Sequence, residues 1–212
     1  MPNSKKSNIT QNKVERVETI SGANVVSLTP FSSEYSGTYS ASELARKTEI
    51  PQQSISRYLN EMAEKNLVNY KREGKNKLFY FNLSRPISRI MFNLIENEKS
   101  LQFLLKNKEI SVIIEEILKN CESIIIFGSY ASGTFNEKSD LDIVLLGKVD
   151  KEKIKKVKRN LGLEIVEHYV SYKEFEEILL SNNPLSIEIL NNHIIFGDLS
   201  RIVNIFLKKS EK

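Results

Sequence analysis

Two aspartates two positions apart, Asp140 and Asp142, carry the clearest chemistry in this chain of 212 residues. On a β-strand, side chains two apart leave the same face, so the pair presents two carboxylates together. Asp142 is flanked by Leu141, Ile143, Val144 and Leu145, the residues of a buried strand, where a carboxylate is costly unless it is paired or binds a metal. Upstream, the apolar run Ile124 to Phe127 ends in Gly128-Ser129, a turn that exposes backbone N–H groups. An acidic pair beside such a turn suits a divalent cation carrying the phosphates of a nucleotide. Turn chemistry alone, with Gly133 and Asn136 as turn formers and Ser139-Asp140 as a strand cap, explains the intervening loop but gives Asp142 no reason.

Gly128-Ser129, ten intervening residues and Asp140-Leu141-Asp142 are similar to the Gly-Ser-x10-Asp-x-Asp signature of minimal nucleotidyltransferases in the DNA polymerase beta superfamily. The resemblance covers roughly residues 121 to 200. It implies a small mixed sheet flanked by helices, with Gly128 and Ser129 as nucleotide-binding residues. Asp140, Asp142 and a third carboxylate would be catalytic and would hold Mg²⁺ or Mn²⁺. In Gly162-Leu163-Glu164-Ile165-Val166-Glu167, Glu164 is the better positional match for that carboxylate and Glu167 the rival; three apart on a strand, they face opposite sides. The implied reaction moves a nucleoside monophosphate, AMP foremost, from a nucleoside triphosphate, ATP foremost. Relatives of this kind include the antitoxin half of HEPN/minimal-nucleotidyltransferase toxin–antitoxin pairs, which transfer AMP to a tyrosine of the toxin. A protein hydroxyl on a HEPN-type partner is therefore the implied acceptor. Many members carry Arg or Lys where this chain has Ser132.

The elements ahead of this motif are also legible. Ser40 with Glu43 three residues on is a capping-box spacing that opens a helix, and Ile50-Pro51 breaks it. A second helix from about Gln52 to Asn66 puts Ile55, Leu59, Met62 and Ala63 on one stripe. Leu67 to Arg72 and Lys77 to Phe81 read as strands joined across Glu73-Gly74-Lys75-Asn76. Helix, turn, helix and hairpin resemble the winged helix-turn-helix of prokaryotic regulators, which implies double-stranded DNA as a partner. Gln52, Gln53, Ser54, Ser56 and Arg57 would then meet the groove, and Lys71, Arg72, Lys75 and Lys77 would make a basic wing against the phosphates. A protein-docking role for the same module is the alternative.

From Ser84 to Asn120 the pattern predicts two or three helices with Ile87, Ile90, Met91, Leu94 and Ile95 inward, followed by Leu101, Leu104 and Leu105, then Val112, Ile113, Ile117 and Leu118. Val149 to Leu161 predicts a helix with six basic residues outward, a solvated face by default. Tyr172 to Leu180, Pro184 to Asn192 and the C-terminus predict further helices. His168 and His193 lack metal-ligand neighbours and read as structural or surface residues. Forty per cent hydrophobic residues, a net charge of +4 and a single cysteine describe an ordinary protein of a reducing compartment, so a cytoplasmic home is expected. No run reaches the ~20 apolar residues of a membrane span.

The expected fold is α+β in two domains: a flexible arm over 1–20, a winged helix-turn-helix over 21–84, a helical connector over 85–120 and a minimal nucleotidyltransferase over 121–212. Two other functions compete with transfer to a protein. One is a non-catalytic DNA-binding regulator that senses nucleotide; the other is a nucleotidyltransferase acting on RNA or a small molecule.

Overall fold

The computed structural model describes residues 22–159 and 163–211, so the expected arm over 1–20, and Leu161 and Gly162, lie outside the described residues. The chain is α+β, with two small sheets wrapped by helices. The described residues open with α1 (Gly22–Val26) and a 3-10 turn (Thr29–Ser33) that has Pro30 in its first turn. A two-residue strand, β1 (Tyr39–Ser40), leads into α2 (Ala41–Thr48) through the expected capping box. The Glu43 N–H donates to Ser40 Oγ at 3.3 Å, and the Ser40 N–H and hydroxyl each donate to Glu43 Oε2 at 2.7 Å, which holds the Glu43 carboxyl below its ordinary range.

Helix α3 (Gln52–Glu64) starts after Pro51 and buries Ile55, Leu59 and Met62. Strands β2 (Asn69–Glu73) and β3 (Asn76–Tyr80) form an antiparallel hairpin that turns at Gly74, whose φ of +60° favours glycine. The short β1 pairs with β3, which gives a sheet of order β1-β3-β2.

Two helices follow, α4 (Pro86–Lys106) and α5 (Lys108–Leu118). The expected apolar stripe is corrected here. Met91 and Ile95 are buried, but Ile90, Leu94, Leu101 and Leu105 on α4 and Val112 on α5 are exposed. The inward face of α4 instead carries Phe92 and Phe103 together with Ser88, Glu96 and Ser100. Each of these polar groups finds a partner: Ser88 Oγ donates to the Asn82 carbonyl at 2.7 Å and Ser100 Oγ to the Ile195 carbonyl at 2.6 Å, while Glu96 accepts from Tyr35. Satisfied polar groups can enter a core, and an apolar pattern alone does not reveal them.

The second sheet holds the remainder of the chain. β4 (Ser123–Ile126) lies antiparallel to both β5 (Leu141–Leu146) and β7 (Ile194–Gly197), whereas β5 and β6 (Ile165–Val170) are parallel, in the order β6-β5-β4-β7. Around it lie α6 (Gly128–Ser132), α7 (Lys151–Arg159), α8 (Tyr172–Leu180), α9 (Pro184–Asn191) and α10 (Leu199–Ser210). Alternation along the strands divides the sheet into two faces. Ile124, Ile126, Ile143, Leu145 and Ile165 pack with α5 and α7, and Ile125, Val144, Leu146 and Ile195 join a larger core. That larger core continues through Phe92 and Ile95 of α4 to Phe31, Leu44, Ile55 and Phe79 near the N-terminus.

A buried polar knot fastens this junction. The Glu96 carboxylate accepts from the Tyr35 hydroxyl at 3.0 Å and from His193 Nε2 at 3.1 Å, with Lys99 Nζ 3.4 Å from its other oxygen. His193 Nδ1 faces the Ile189 carbonyl at 2.8 Å, so the ring serves both acceptors when it carries two protons. No described helix is long and apolar enough to cross a membrane.

Candidate active site

Strand β4 runs into α6 through Phe127, which is extended, and Gly128, whose φ is +68°. The Phe127 N–H donates to the Asp142 carbonyl at 3.1 Å, which ties the Gly-Ser turn to the acidic strand. A Cβ built on Gly128 would stand 2.6 Å from Asp142 Oδ2 and 3.5 Å from Glu188 Oε1. Glycine is therefore required here for the close approach as well as for the backbone angle. The space a side chain would fill lies between the backbone and two carboxylates.

Asp142 is half-buried, and its carboxyl sits above the ordinary range. Burial is the largest cause, the charges of Glu188 and Asp140 add to it, and His168 opposes it. Like charges gathered in a partly desolvated site are what a bound cation relieves. Oxygen donors of this type beside an open backbone turn fit a hard divalent ion. Among the described residues, no group of three or more His, Cys, Asp or Glu converges closely enough to complete a metal cage.

The parallel register puts Glu164 and Glu167 on opposite faces of the sheet. Asp142 pairs with Val166 and Val144 with His168, and the Leu141 N–H donates to the Glu164 carbonyl at 2.9 Å. Alternation then puts Glu164 on the face of Asp140 and Asp142, and Glu167, which pairs with Ile143, on the other. Glu167 is occupied there by an ion pair with Lys158 of α7, and the Tyr169 hydroxyl donates to it at 3.4 Å. Sequence reasoning missed two neighbours of the site. His168 was legible, because strand periodicity from Glu164 through Val166 carries it to the acidic face. Glu188 had no signal, since it arrives on α9.

Ser132 does not reach toward the carboxylates. Its hydroxyl donates to the Ser129 carbonyl at 3.1 Å and shares a 2.8 Å hydrogen bond with Thr134 Oγ1. A cleft of 670 Å³ beside Ser132 is lined by Lys47, Lys99 and Lys106, so positive charge borders α6 from other elements.

Residues 98–209, just over half of the chain, match the family model described as a nucleotidyltransferase domain. The chain belongs to this family. The match begins inside α4 and takes in the whole second sheet with its Gly-Ser turn and acidic strand. The chain is also similar to two proteins of Methanocaldococcus jannaschii that both bear the name "putative protein adenylyltransferase". The first is 31% identical over 122 residues, which are 50% of this chain and 83% of that protein. The second is 36% identical over 89 residues, which are 40% of this chain and 63% of that protein. No solved structure matches the chain. The family and these relatives make the chain a nucleotidyltransferase by class.

The residues expected to touch DNA fall in two groups. On α3, Gln52, Gln53 and Arg57 are exposed and Ser54 and Ser56 half-buried, with Arg57 3.9 Å from Glu61. On the hairpin, Arg72 pairs with Lys77 and Lys71 with Leu78, so Lys71 and Arg72 point to opposite faces. Lys77 Nζ donates to Asn60 Oδ1 of α3 at 2.6 Å and lies 4.4 Å from the centre of the Tyr70 ring. It braces the hairpin on the helix, which leaves Lys71, Arg72 and Lys75 as the exposed cations of the hairpin.

Proposed function

We propose that this nucleotidyltransferase moves a nucleoside monophosphate, AMP foremost, from its triphosphate to a hydroxyl of a protein partner in a reaction that depends on Mg²⁺ or Mn²⁺. The observation that carries this reading is the convergence of Asp142 and Glu188 on the bare backbone of Gly128. Asp140 and Asp142 would hold the metal, which when bound neutralises charge across the triphosphate. Gly128 admits the phosphates against the backbone, and the Ser129 hydroxyl donates to their oxygens.

The acceptor oxygen attacks the α-phosphorus in line, the bond to pyrophosphate breaks, and the hydroxyl proton passes to a carboxylate of the same face. Support for giving Glu164 that role is strand alternation, since it lies two residues before Val166, the partner of Asp142. A protein acceptor is favoured by the two relatives named as adenylyltransferases of proteins, and a tyrosine on a HEPN-type toxin is the acceptor the toxin–antitoxin resemblance points to.

The segment from β1 through β3 serves in this reading as a winged helix-turn-helix over 21–84, linked by 85–120 to the transferase over 121–212. Support comes from α3 and the hairpin being braced together by Lys77, with three cations left exposed on the hairpin. Incubation with Mg²⁺ and ATP labelled at the α-phosphate, together with extract of the source cells, should label one protein band. Label on no protein, or equal label with the Asp140→Asn, Asp142→Asn variant, would overturn the proposal.

A further inference from the structure

Helix α4 is apolar on two opposite sides. Phe92, Ile95 and Phe103 enter the core, while Ile90, Leu94, Leu101 and Leu105 are 56%, 39%, 51% and 62% exposed on the side turned away from it. At 3.6 residues per turn these four fall within an arc of about 60°. Together they expose roughly 400 Å², the size of the largest apolar patch on a typical monomer, which is often functional.

The spacing of the stripe suits a second copy of the same helix. Ile90 and Leu105, like Leu94 and Leu101, are centred on the same point between Asn97 and Glu98. Two copies of α4 laid antiparallel about a two-fold axis through that point set Ile90 against Leu105 and Leu94 against Leu101, each pairing made twice. A surface that complements itself in this way is what an isologous dimer requires.

The ends of the stripe agree with the pairing. A groove of 450 Å³ beside Ile90 is lined by Leu83, Pro86, Ile90 and Leu207 and by four charged side chains, and Leu105, at the far end, is the most exposed residue of the stripe. Antiparallel pairing brings the protruding Leu105 of one copy to the groove of the other, whereas parallel pairing would set Leu105 against Leu105 and leave the groove empty. At the axis, Asn97 uses its amide to donate to the Asn93 carbonyl at 2.8 Å and keeps its own carbonyl oxygen for the facing Asn97. Glu98 is as near the axis as Asn97 and faces its own copy, with its carboxylate accepting from Gln102 Nε2 at 3.0 Å. Counted over both copies the four side chains contribute roughly 800 Å², so the groove and the rim must supply the remainder of the ~1,000 Å² that specific association needs.

We infer that the outer face of α4 is a dimer interface on which a second copy of this chain lies antiparallel, with the two-fold axis beside Asn97. The pair would place two N-terminal helix–hairpin units about one axis, the arrangement that reads a palindromic site. The interface itself does not depend on DNA binding or on the transferase reading.

Light scattering on the full chain across a concentration series tests this. The expected mass is twice the 24.4 kDa of one chain. Leu101→Arg with Leu105→Arg should return it to one chain mass without changing the circular dichroism spectrum, and should make the melting temperature independent of protein concentration. In a Cys121→Ser background, Asn97→Cys should form an interchain disulfide under mild oxidant. Leu105→Cys should not, since the two copies of that position would lie about 22 Å apart along the paired helices at 1.5 Å per residue. A single-chain mass at every concentration, a dimer unaffected by the two arginines, or cross-linking at position 105 but not at 97 would each overturn the inference.

Discussion

Asp142 keeps its carboxyl above the ordinary range because the fold holds it half-buried beside Glu188 and Asp140. For an acid whose folded-state value is raised, stability is greatest while the proton is bound and declines as pH climbs from the unfolded value of 3.8 through the folded one. At neutral pH the ionised group therefore costs stability. Asp142→Asn should raise the melting temperature by scanning calorimetry. The same change should lower transfer at least about 100-fold, the loss that follows even from disturbing a metal ligand's supporting partner. A lower melting temperature would mean that Asp142 is stabilised by a partner other than the acids described. Glu164 and Glu167 separate by the face they occupy. Glu164→Gln should abolish transfer, whereas Glu167→Gln should spare it and cost about 1 kcal/mol in urea unfolding as the pair with Lys158 disappears. The reverse pattern in a transfer assay would reassign the carboxylate.

Legibility in the sequence follows how local the determining interaction is, and the elements divide on that line. The capping box of α2 joins Ser40 to Glu43, three residues apart, and the stripe of α3 repeats within one helix. The Gly-Ser turn and the acidic pair are also near neighbours in the chain. The inward face of α4 is not legible from its pattern because the groups that turn Glu96 inward, Tyr35 and His193, are 61 and 97 residues away from it. Strand β1 is only two residues long and exists by pairing with β3, so no run of β-formers announces it. Glu188 reaches the site by the docking of α9, and Lys77 is a brace rather than a free cation for the same reason: its partner Asn60 lies on another element. The brace also refines what the hairpin can offer DNA. Replacing Lys71, Arg72 and Lys75 by Ala should flatten the slope of log K against log salt by about 0.9 for each phosphate no longer neutralised. Transfer activity should be unchanged, because sites without shared partners behave additively. Mobility shifts over a salt series would measure this, and an unaltered slope would remove the hairpin from the DNA interface.

On the scale of the molecule, one core and one polar knot join the N-terminal elements to the transferase sheet through α4. Burial alone would push the Glu96 carboxyl up, yet Lys99, His193 and the Tyr35 hydroxyl together bring it down to about 2. For a depressed carboxyl the stabilisation is present above the unfolded value of 4.5 and is lost as pH falls toward 2. Glu96→Gln should therefore cost about 3–5 kcal/mol in urea unfolding at pH 7, the range for removing one partner of a buried pair, and progressively less in acid. An equal cost at neutral and acid pH would assign Glu96 a packing role only. Nucleotide and metal are expected to meet at the start of α6, where the Gly128 backbone approaches Asp142 and Glu188. Calorimetric titration of ATP, GTP, CTP and UTP into the protein, with and without Mg²⁺, tests this expectation most directly. Binding of at least one triphosphate should appear only with metal and vanish in Asp140→Asn, Asp142→Asn. Binding that is indifferent to metal, or absent for all four nucleotides, would contradict it.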